Sequence, residues 1–541
     1  MIAFRTCLLL ICISAFTYGN AQMLSSSNLP IISINTNGQT IADEPKISAD
    51  MGIIYNGSNR NNITDAFNHY NGKIGIEIRG QSSQMFPMKS YSIELQDATG
   101  NSVDKSLFGL PKESDWVLYA PYTDKTLMRN FLAYTMSREM GHWASNCRYV
   151  EVILNGQYIG IYVFMEKIKR GSGRVNISKI AATDITGDAV TGGYLFSIDK
   201  EANGWYSDYT PPNGTANQQI RYSYIYPKIT AIVPQQQSYL VSYVDSFETA
   251  LYNSTDPKKA NEWRKFADEA SFIDFFIVNE LSRNVDGYRL SSYFYKDRAS
   301  KNGKIIAGPV WDYDLAFRNA NYCNGSDTSG WAYNFNSTCP QDFWLNPFWW
   351  KNFMQDKTFQ SNLRCRWKQV RATSLSLSRI NTLIDSVYTL TEEARQRHFQ
   401  KWPTLGQYVW PNPQPIAFTY NTEIIYLKEW IAARLGWIDR YLPNEGICYD
   451  YPAYLKEYIL VSGNPNPVLS NYNLTIKSRV QQKIAIHAID MMGRVVYSNS
   501  YTANAGYNQL EIDMSGLQKG LYVFHISAPS GEKITQKVLK Q

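Results

Sequence analysis

Apolar and polar residues alternate through most of the first 230 positions, and a period of two predicts strands. From Leu29 the chain reads LPIISINTNGQTI around an Asn-Gly turn, a β pattern that runs to about Ile54. Ile74, Ile76 and Ile78 alternate with Gly75 and Glu77, and Arg79-Gly80 closes that strand. A polar loop, Gln81 to Gln84, follows, and Lys89 opens the next strand, KSYSIEL. Asp115 to Ala120 reads as a strand. Asp124 and Lys125 sit in a turn, and Thr126 is placed to cap a helix over 127–140, which Gly141 ends. Glu139, near the end of that helix, reads as solvated. Tyr149–Leu154 and Gln157–Glu166 are predicted strands joined by Asn155-Gly156, a hairpin signal. The strand over 192–200 ends in the charge pair Asp199-Lys200. A Gly/Pro/Asn-rich loop and a further strand, Ile220–Lys228, complete this half.

The period then lengthens. A helix is predicted over about 235–252, and another from Ser271, where Ser271 and Asp274 have capping-box spacing. Phe272, Phe275, Phe276 and Val278 make the second helix heavily apolar, which suits a central position. It gives out near Asn284. Asp286 lies on the loop beyond, followed by a Tyr/Phe strand, a polar break, and the apolar run IIAGPVW leading to Asp312 and Asp314. If that run stays a strand through Tyr313, alternation sets both acids on one face. After an aromatic, Gly-rich loop the signals are helical to Tyr441, with a break at Pro411–Pro415. The last helix is Thr422–Arg440. Residues 457–541 return to short alternating strands between Gly, Asn and Pro turns, the spacing of a β-sandwich. That unit carries no cluster of acids, His or Cys, so no catalysis is expected there.

Composition narrows the picture. A chain of 541 residues suggests two to four domains, and 44% hydrophobic residues suffice for large cores. Residues 1–22 have Arg5, an apolar run from Cys7 to Phe16 and small residues near Ala21, the pattern of a secretory signal peptide. No other run reaches spanning length, so no transmembrane helix is expected. A net charge of +6 with no Lys/Arg block speaks against nucleic acid as a partner. Beyond the leader the cysteines are 147, 323, 339, 365 and 448. Cys323 and Cys339 bracket a polar loop and could pair, and the odd count leaves a thiol over.

The chemistry concentrates at 271–319. A loop carboxylate such as Asp286 is suited to accept or orient a hydroxyl proton. Paired acids such as Asp312 and Asp314 suit a hard cation, Mg²⁺, with phosphate oxygens. Loop acid, hairpin, then metal acid is also the order of parts in protein kinases. Upstream, the strand–turn–strand bearing Arg79 and Lys89 has the makings of a lid over phosphates, although an ordinary hairpin with solvated charges has the same pattern. Asp286 and Asp312 could alternatively flank a glycosidic bond. Serine-hydrolase and zinc motifs are absent from the sequence.

In this order, IEIRGQSSQMFPMKSYSIEL, YTDKTLMRNFLAYTMSREMG, YIGIYVFMEKIKR, NVDGYRLSSYFYKD and GPVWDYDLAF resemble the CotH family of secreted atypical protein kinases. The resemblance implies an α+β chain with a two-lobed, kinase-like catalytic domain over 23–445. Its β-rich part spans about 29–230 and its helical part about 235–441. It also implies ATP with Mg²⁺ (or Mn²⁺) as cofactors and protein Ser/Thr hydroxyls as acceptors. Carried over by residue, Asp286 is the catalytic acid and Asp312 the metal acid, with Asp314 beside it. Lys89 and Arg79, with Ser82 and Ser83 in the 80–83 loop, fall at the phosphates. Glu139 and Glu166 are both candidates to pair with the lysine. Family members often carry Asn shortly after the catalytic Asp, where Ser291 and Ser292 stand here. That departure leaves open a weakened kinase or a nucleotide- or glycan-binding pseudokinase acting in surface assembly. Residues 457–541, beyond a linker at 446–456, hold NPNP, DMMGRVVY and LQKGLYVFHI. They resemble the sorting domain of the type IX secretion system of Bacteroidetes-like bacteria, here as a small Ig-like β-sandwich. That implies the type IX machinery as a partner and passage through the periplasm to the outer cell surface or medium.

Overall fold

Seven strands of the N-terminal half close into a barrel: β1 (Ile31–Asn35), β2 (Ile47–Ile54), β3 (Tyr70–Arg79), β4 (Ser90–Gln96), β5 (Asp115–Tyr119), β6 (Cys147–Leu154) and β7 (Gln157–Glu166). Their order is β1-β2-β3-β4-β5-β7-β6, and the parallel pairing of β1 with β6 shuts the ring. The computed structural model describes residues 24–200, 203–256, 258–301, 303–443, 460–478, 482–504, 506–528 and 533–541. The expected signal peptide and the 446–456 linker lie outside the described residues.

The period of two seen in the sequence sorts the barrel into inside and outside. Ile74, Ile76, Ile93, Leu95, Trp116, Leu118, Tyr162 and Phe164 fill the interior. The intervening Val117, Tyr119 and Met165 therefore point out, on the face that carries the cleft described below. Closure itself was not legible in the period.

Helix α1 (Arg129–Glu139) follows β5. Its start is held by Asp124, not by the predicted Thr126 cap. Asp124 accepts the Arg129 N–H at 2.8 Å and the Thr126 hydroxyl at 2.6 Å, and forms a buried ion pair with the Arg129 guanidinium. The buried Asp124 carboxylate reaches farther along the chain than the adjacent Thr126 hydroxyl, which local spacing does not encode. Glu139 is not simply solvated; it pairs with Arg379.

The second half is built on a five-stranded antiparallel sheet of β8 (Tyr194–Ile198), β9 (Gly204–Tyr206), β10 (Arg221–Tyr226), β11 (Ser292–Lys296) and β12 (Ile305–Ala307), in the order β9-β10-β8-β11-β12. Phe196, Tyr222 and Phe294 on one face enter a large core with Phe272, Trp349 and Trp350. Helices α2 (Pro234–Tyr252), α3 (Glu269–Ser282), α4 (Lys357–Ala372), α5 (Leu377–Leu390), α6 (Glu392–Lys401) and α7 (Tyr420–Tyr441) complete it. As its apolar run implied, α3 is buried along its whole length. It starts earlier than predicted, however, because Asp268 accepts the Ser271 N–H at 2.9 Å and is the cap. Asp274, the predicted capping-box partner, instead accepts from Arg366 Nε at 2.7 Å and lies 2.7 Å from His142.

Helix α6 packs against β7 through His398. Gly160 allows this approach: its φ is +110°, and a Cβ there would meet His398 Nδ1 at 3.0 Å. His398 Nδ1 accepts the Ile161 N–H at 3.1 Å, and burial pushes its pKa down to about 3. A folded-state pKa below the unfolded value near 6.5 means the stabilisation is full above that pH and is lost as pH falls toward about 3. Between pH 7 and 5 the cost of this one group is about 2 kcal/mol. Thermal melts at the two pH values should show that loss in the wild type and a smaller one in His398→Gln. Equal pH dependence in both would refute the assignment.

The C-terminal strands are β13 (Leu460–Asn464), β14 (Asn471–Ser478), β15 (Gln482–Ile489), β16 (Val495–Ala503), β17 (Gly506–Asp513), β18 (Gly520–Ser527) and β19 (Lys533–Lys540). They form two sheets, β13-β14-β17 and β16-β15-β18-β19, around one core that includes Leu474, Ile486, Phe524 and Val538. This agrees with the sandwich read from the sequence. Among the described residues no helix is long and apolar enough to cross a membrane.

Candidate active site

A cleft of about 330 Å³ opens between the outer face of the barrel and the second sheet. One wall is Ser90 before the interior run of β4, Val117 and Tyr119 of β5, and Met165 of β7. The facing wall is Ser197 of β8, Ser223 of β10 and Tyr293 of β11. Each of these is the outward partner of a buried neighbour, so the strand period builds both walls.

The three predicted acids meet in this cleft. Asp286 lies on the loop after α3, which leaves the helix through Arg283 at φ +47°. Arg289 steers it, donating to Asp286 Oδ1 at 3.0 Å and to Asp342 Oδ1 at 3.1 Å. Asn284 ties this loop to the metal-acid segment. Its Oδ1 accepts the Asp286 N–H at 3.2 Å and its Nδ2 donates to the Asp312 carbonyl at 3.2 Å.

Asp312 and Asp314 arrive by a different route from the predicted one. The strand ends at Ala307, and Asp312 sits at φ +65° in the left-handed region, so strand alternation does not orient the pair. Helix α1 holds the turn instead. The Asp312 N–H donates to Tyr134 Oη at 3.1 Å and the Tyr313 N–H donates to Asn130 Oδ1 at 2.6 Å. Tyr313 turns inward and donates to Asn279 Oδ1 at 2.9 Å, which leaves the flanking acids facing the cleft. Asp314 Oδ2 accepts from Thr123 Oγ1 at 3.3 Å. Enclosure in the cleft, followed by the charge of Asp286, pushes the Asp312 carboxyl above the ordinary range. Enclosure and Asp312 push Asp314 well above it.

Arg79, at the end of β3, lines the cleft with its guanidinium over the Trp311 ring, 5.4 Å from the centroid. Gly80 follows at φ +96°, where a Cβ would stand 2.1 Å from Ser83 Oγ, so only glycine fits this turn. Ser82 and Ser83 line the cleft beside it. Lys89 is placed otherwise than expected. It is not among the lining residues, and its Nζ donates to the Gln84 carbonyl at 2.5 Å, at the base of the same loop. Neither candidate acid pairs with it. Glu139 is held by Arg379, and buried Glu166 accepts the Asn146 N–H at 3.0 Å.

By sequence pattern Asp199 and Lys200 are only a charge pair ending a strand. Both line the cleft. Enclosure, then Asp312 and Asp286, push Asp199 up to about 6.

The lining suits a divalent cation and phosphates. The carboxylates offer hard oxygen ligands. Arg79 Nη1 is buried with no hydrogen-bond partner among the described residues, at the edge of the acid cluster. Cys323 and Cys339 form the disulfide that their bracketing of a polar loop allowed, and Cys147 is buried as a free thiol.

The barrel, the helical half and the acid-lined cleft define a protein of mixed helix and sheet with an all-β tail. The chain belongs to the CotH kinase family: residues 76–438 match the description CotH kinase protein. Residues 464–541 match the secretion system C-terminal sorting domain. No curated protein matches the chain. Among solved structures, an immunoglobulin-like β-sandwich protein from Bacteroides vulgatus is 21% identical over 15% of this chain and 96% of its own, with a TM-score of 0.12. A likeness that low carries no argument about the fold.

Proposed function

We propose that this chain is an exported protein kinase of two-lobed, kinase-like architecture that transfers the γ-phosphate of ATP to Ser/Thr hydroxyls of secreted or surface proteins. The convergence of Asp286, Asp312 and Asp314 on one cleft with an Arg79 donor that has no partner among the described residues carries this reading. Asp312 and Asp314 would hold Mg²⁺ or Mn²⁺, and Arg79 with the Gly80–Ser83 loop would hold the phosphates. Bound Mg·ATP supplies the phosphoryl group and offsets the charge that develops on its oxygens. Asp286, fixed by Arg289 and Asn284, accepts or orients the acceptor hydroxyl proton. Lys89 acts one step back, holding the loop through Gln84. The sorting domain supports handling by the type IX machinery and delivery across the periplasm to the cell surface or medium.

The second reading, a pseudokinase that binds nucleotide without transfer, is favoured by Ser291. This residue lines the cleft where the family often has Asn, and a hydroxyl is a weaker metal ligand. Full-length protein incubated with labelled ATP, Mg²⁺ and a generic protein substrate separates the two. Label in the substrate supports the kinase. No label, with a melting temperature raised by ATP, leaves the pseudokinase. No effect of ATP on either readout defeats both. Arg79→Ala is expected to raise the nucleotide KM about tenfold or more, the loss of one charge-assisted hydrogen bond. An unchanged KM would remove Arg79 from the phosphate site.

A further inference from the structure

We infer that Asp199 is a metal ligand, supplying the carboxylate for a second divalent cation in the place left by Ser291. This rests on the phosphoryl-transfer reading and assigns a ligand that reading lacks.

The first support is register. Strands β8 and β11 pair antiparallel from Tyr194↔Lys296 to Ile198↔Ser292. Asp199 and Ser291 are the residues one step beyond those paired ends. Ser197 and Tyr293 are the neighbouring cleft-facing residues inside the strands, and Ser291 itself lies just outside β11 at φ +45°. All four line the cleft. The residue that follows β8 at the Ser291 end of this pairing is therefore an acid lining the same cleft.

The second support is the company Asp199 keeps. Asp199, Arg79 and Asp312 all lie close enough to the Tyr293 hydroxyl to act on its charge. All four of these residues line the cleft.

The third support is independent of the acids. The Tyr119 hydroxyl is buried, faces the same cleft near Asp314 and Asp312, and has no hydrogen-bond partner among the described residues. Buried polar groups are rarely left so, and one aimed at carboxylates is placed for a metal-bound water or a phosphate oxygen. The lining also carries Asp199, Asp286, Asp312 and Asp314 against only Arg79 and Lys200. Phosphates would add to that negative excess, and a second cation would offset it.

The test is Mn²⁺ binding by the full chain, followed by electron paramagnetic resonance of the free ion, with and without a non-hydrolysable ATP analogue. The wild type with analogue should take up a second Mn²⁺ that Asp199→Asn does not, while the metal-free melting temperature is unchanged. A variant that still takes up the second ion, or a wild type that takes up only one, overturns the inference. A wild type that binds no Mn²⁺ under either condition overturns the phosphoryl-transfer reading as well. Should the variant fail to fold, Fe²⁺ with ascorbate and peroxide maps the site in the wild type. Backbone cuts near residue 199 as well as near 312 are expected, and cuts near 312 alone refute the assignment.

Discussion

Asp286→Asn in the full chain is expected to lower phosphoryl transfer to protein about 10²- to 10⁴-fold, the usual contribution of a positioned general base. Nucleotide and Mn²⁺ binding should remain, because Asp286 is held by Arg289 and Asn284 and is assigned to the acceptor. Asp312→Asn should abolish transfer and weaken Mn²⁺ binding together. The contrast is the informative part. Both substitutions keep side-chain volume, and both residues line the same cleft, so a loss that merely followed from disturbed packing would not separate metal binding from rate. If Asp286→Asn lost metal affinity as strongly as Asp312→Asn, the division of roles would be wrong. If neither variant changed the rate of a demonstrably active wild type, the chemistry would lie elsewhere.

The largest effect on stability is expected at Asp274. Its carboxylate is buried between Arg366, at 2.7 Å, and His142, at 2.7 Å, and so links α3, α4 and the segment just after α1. Burial works against its charge, but Arg366, followed by His142, overcomes that and holds the carboxyl down at about 2. A depressed carboxylate stabilises the fold above its unfolded pKa near 3.9, and the contribution is lost as pH falls through about 2. Asp274→Asn leaves the Arg366 guanidinium buried without its counter-charge, at a cost of about 3–5 kcal/mol. That corresponds to roughly 10 °C in the melting temperature of this region. Asp274→Leu combined with Arg366→Met should recover much of the loss, since the penalty comes from an uncompensated charge. A double variant that melts as low as the single one would show that packing, not charge, is lost.

The corrections share one cause. Thr126 and Ser271 were plausible caps by spacing, but Asp124 and Asp268 occupy those roles because their carboxylates reach the helix N–H groups in three dimensions. Glu139 looked solvated because Arg379, which binds it, is 240 residues away. Asp312 and Asp314 were expected on a strand face. They are instead oriented by hydrogen bonds from their turn to Tyr134 and Asn130 of α1, which no local pattern encodes. Asp199 ends a strand by its pattern, and only the pairing of β8 with β11 sets it in the same cleft as Ser291.

By itself, the sequence determined which residues alternate and which follow a helical period, because those periods depend only on neighbours along the chain. That was enough for the strand content of the first half, the buried α3, the tail of short strands and the singling out of Asp286, Asp312 and Asp314, which the fold brings to one cleft. Tertiary structure decided what those elements meet. It closed the barrel through the parallel pairing of β1 and β6, moved Lys89 behind the loop and brought Asp199 into the cleft. Those outcomes depend on pairing and burial between segments far apart in the chain, whose free energy exists only once the whole fold has formed.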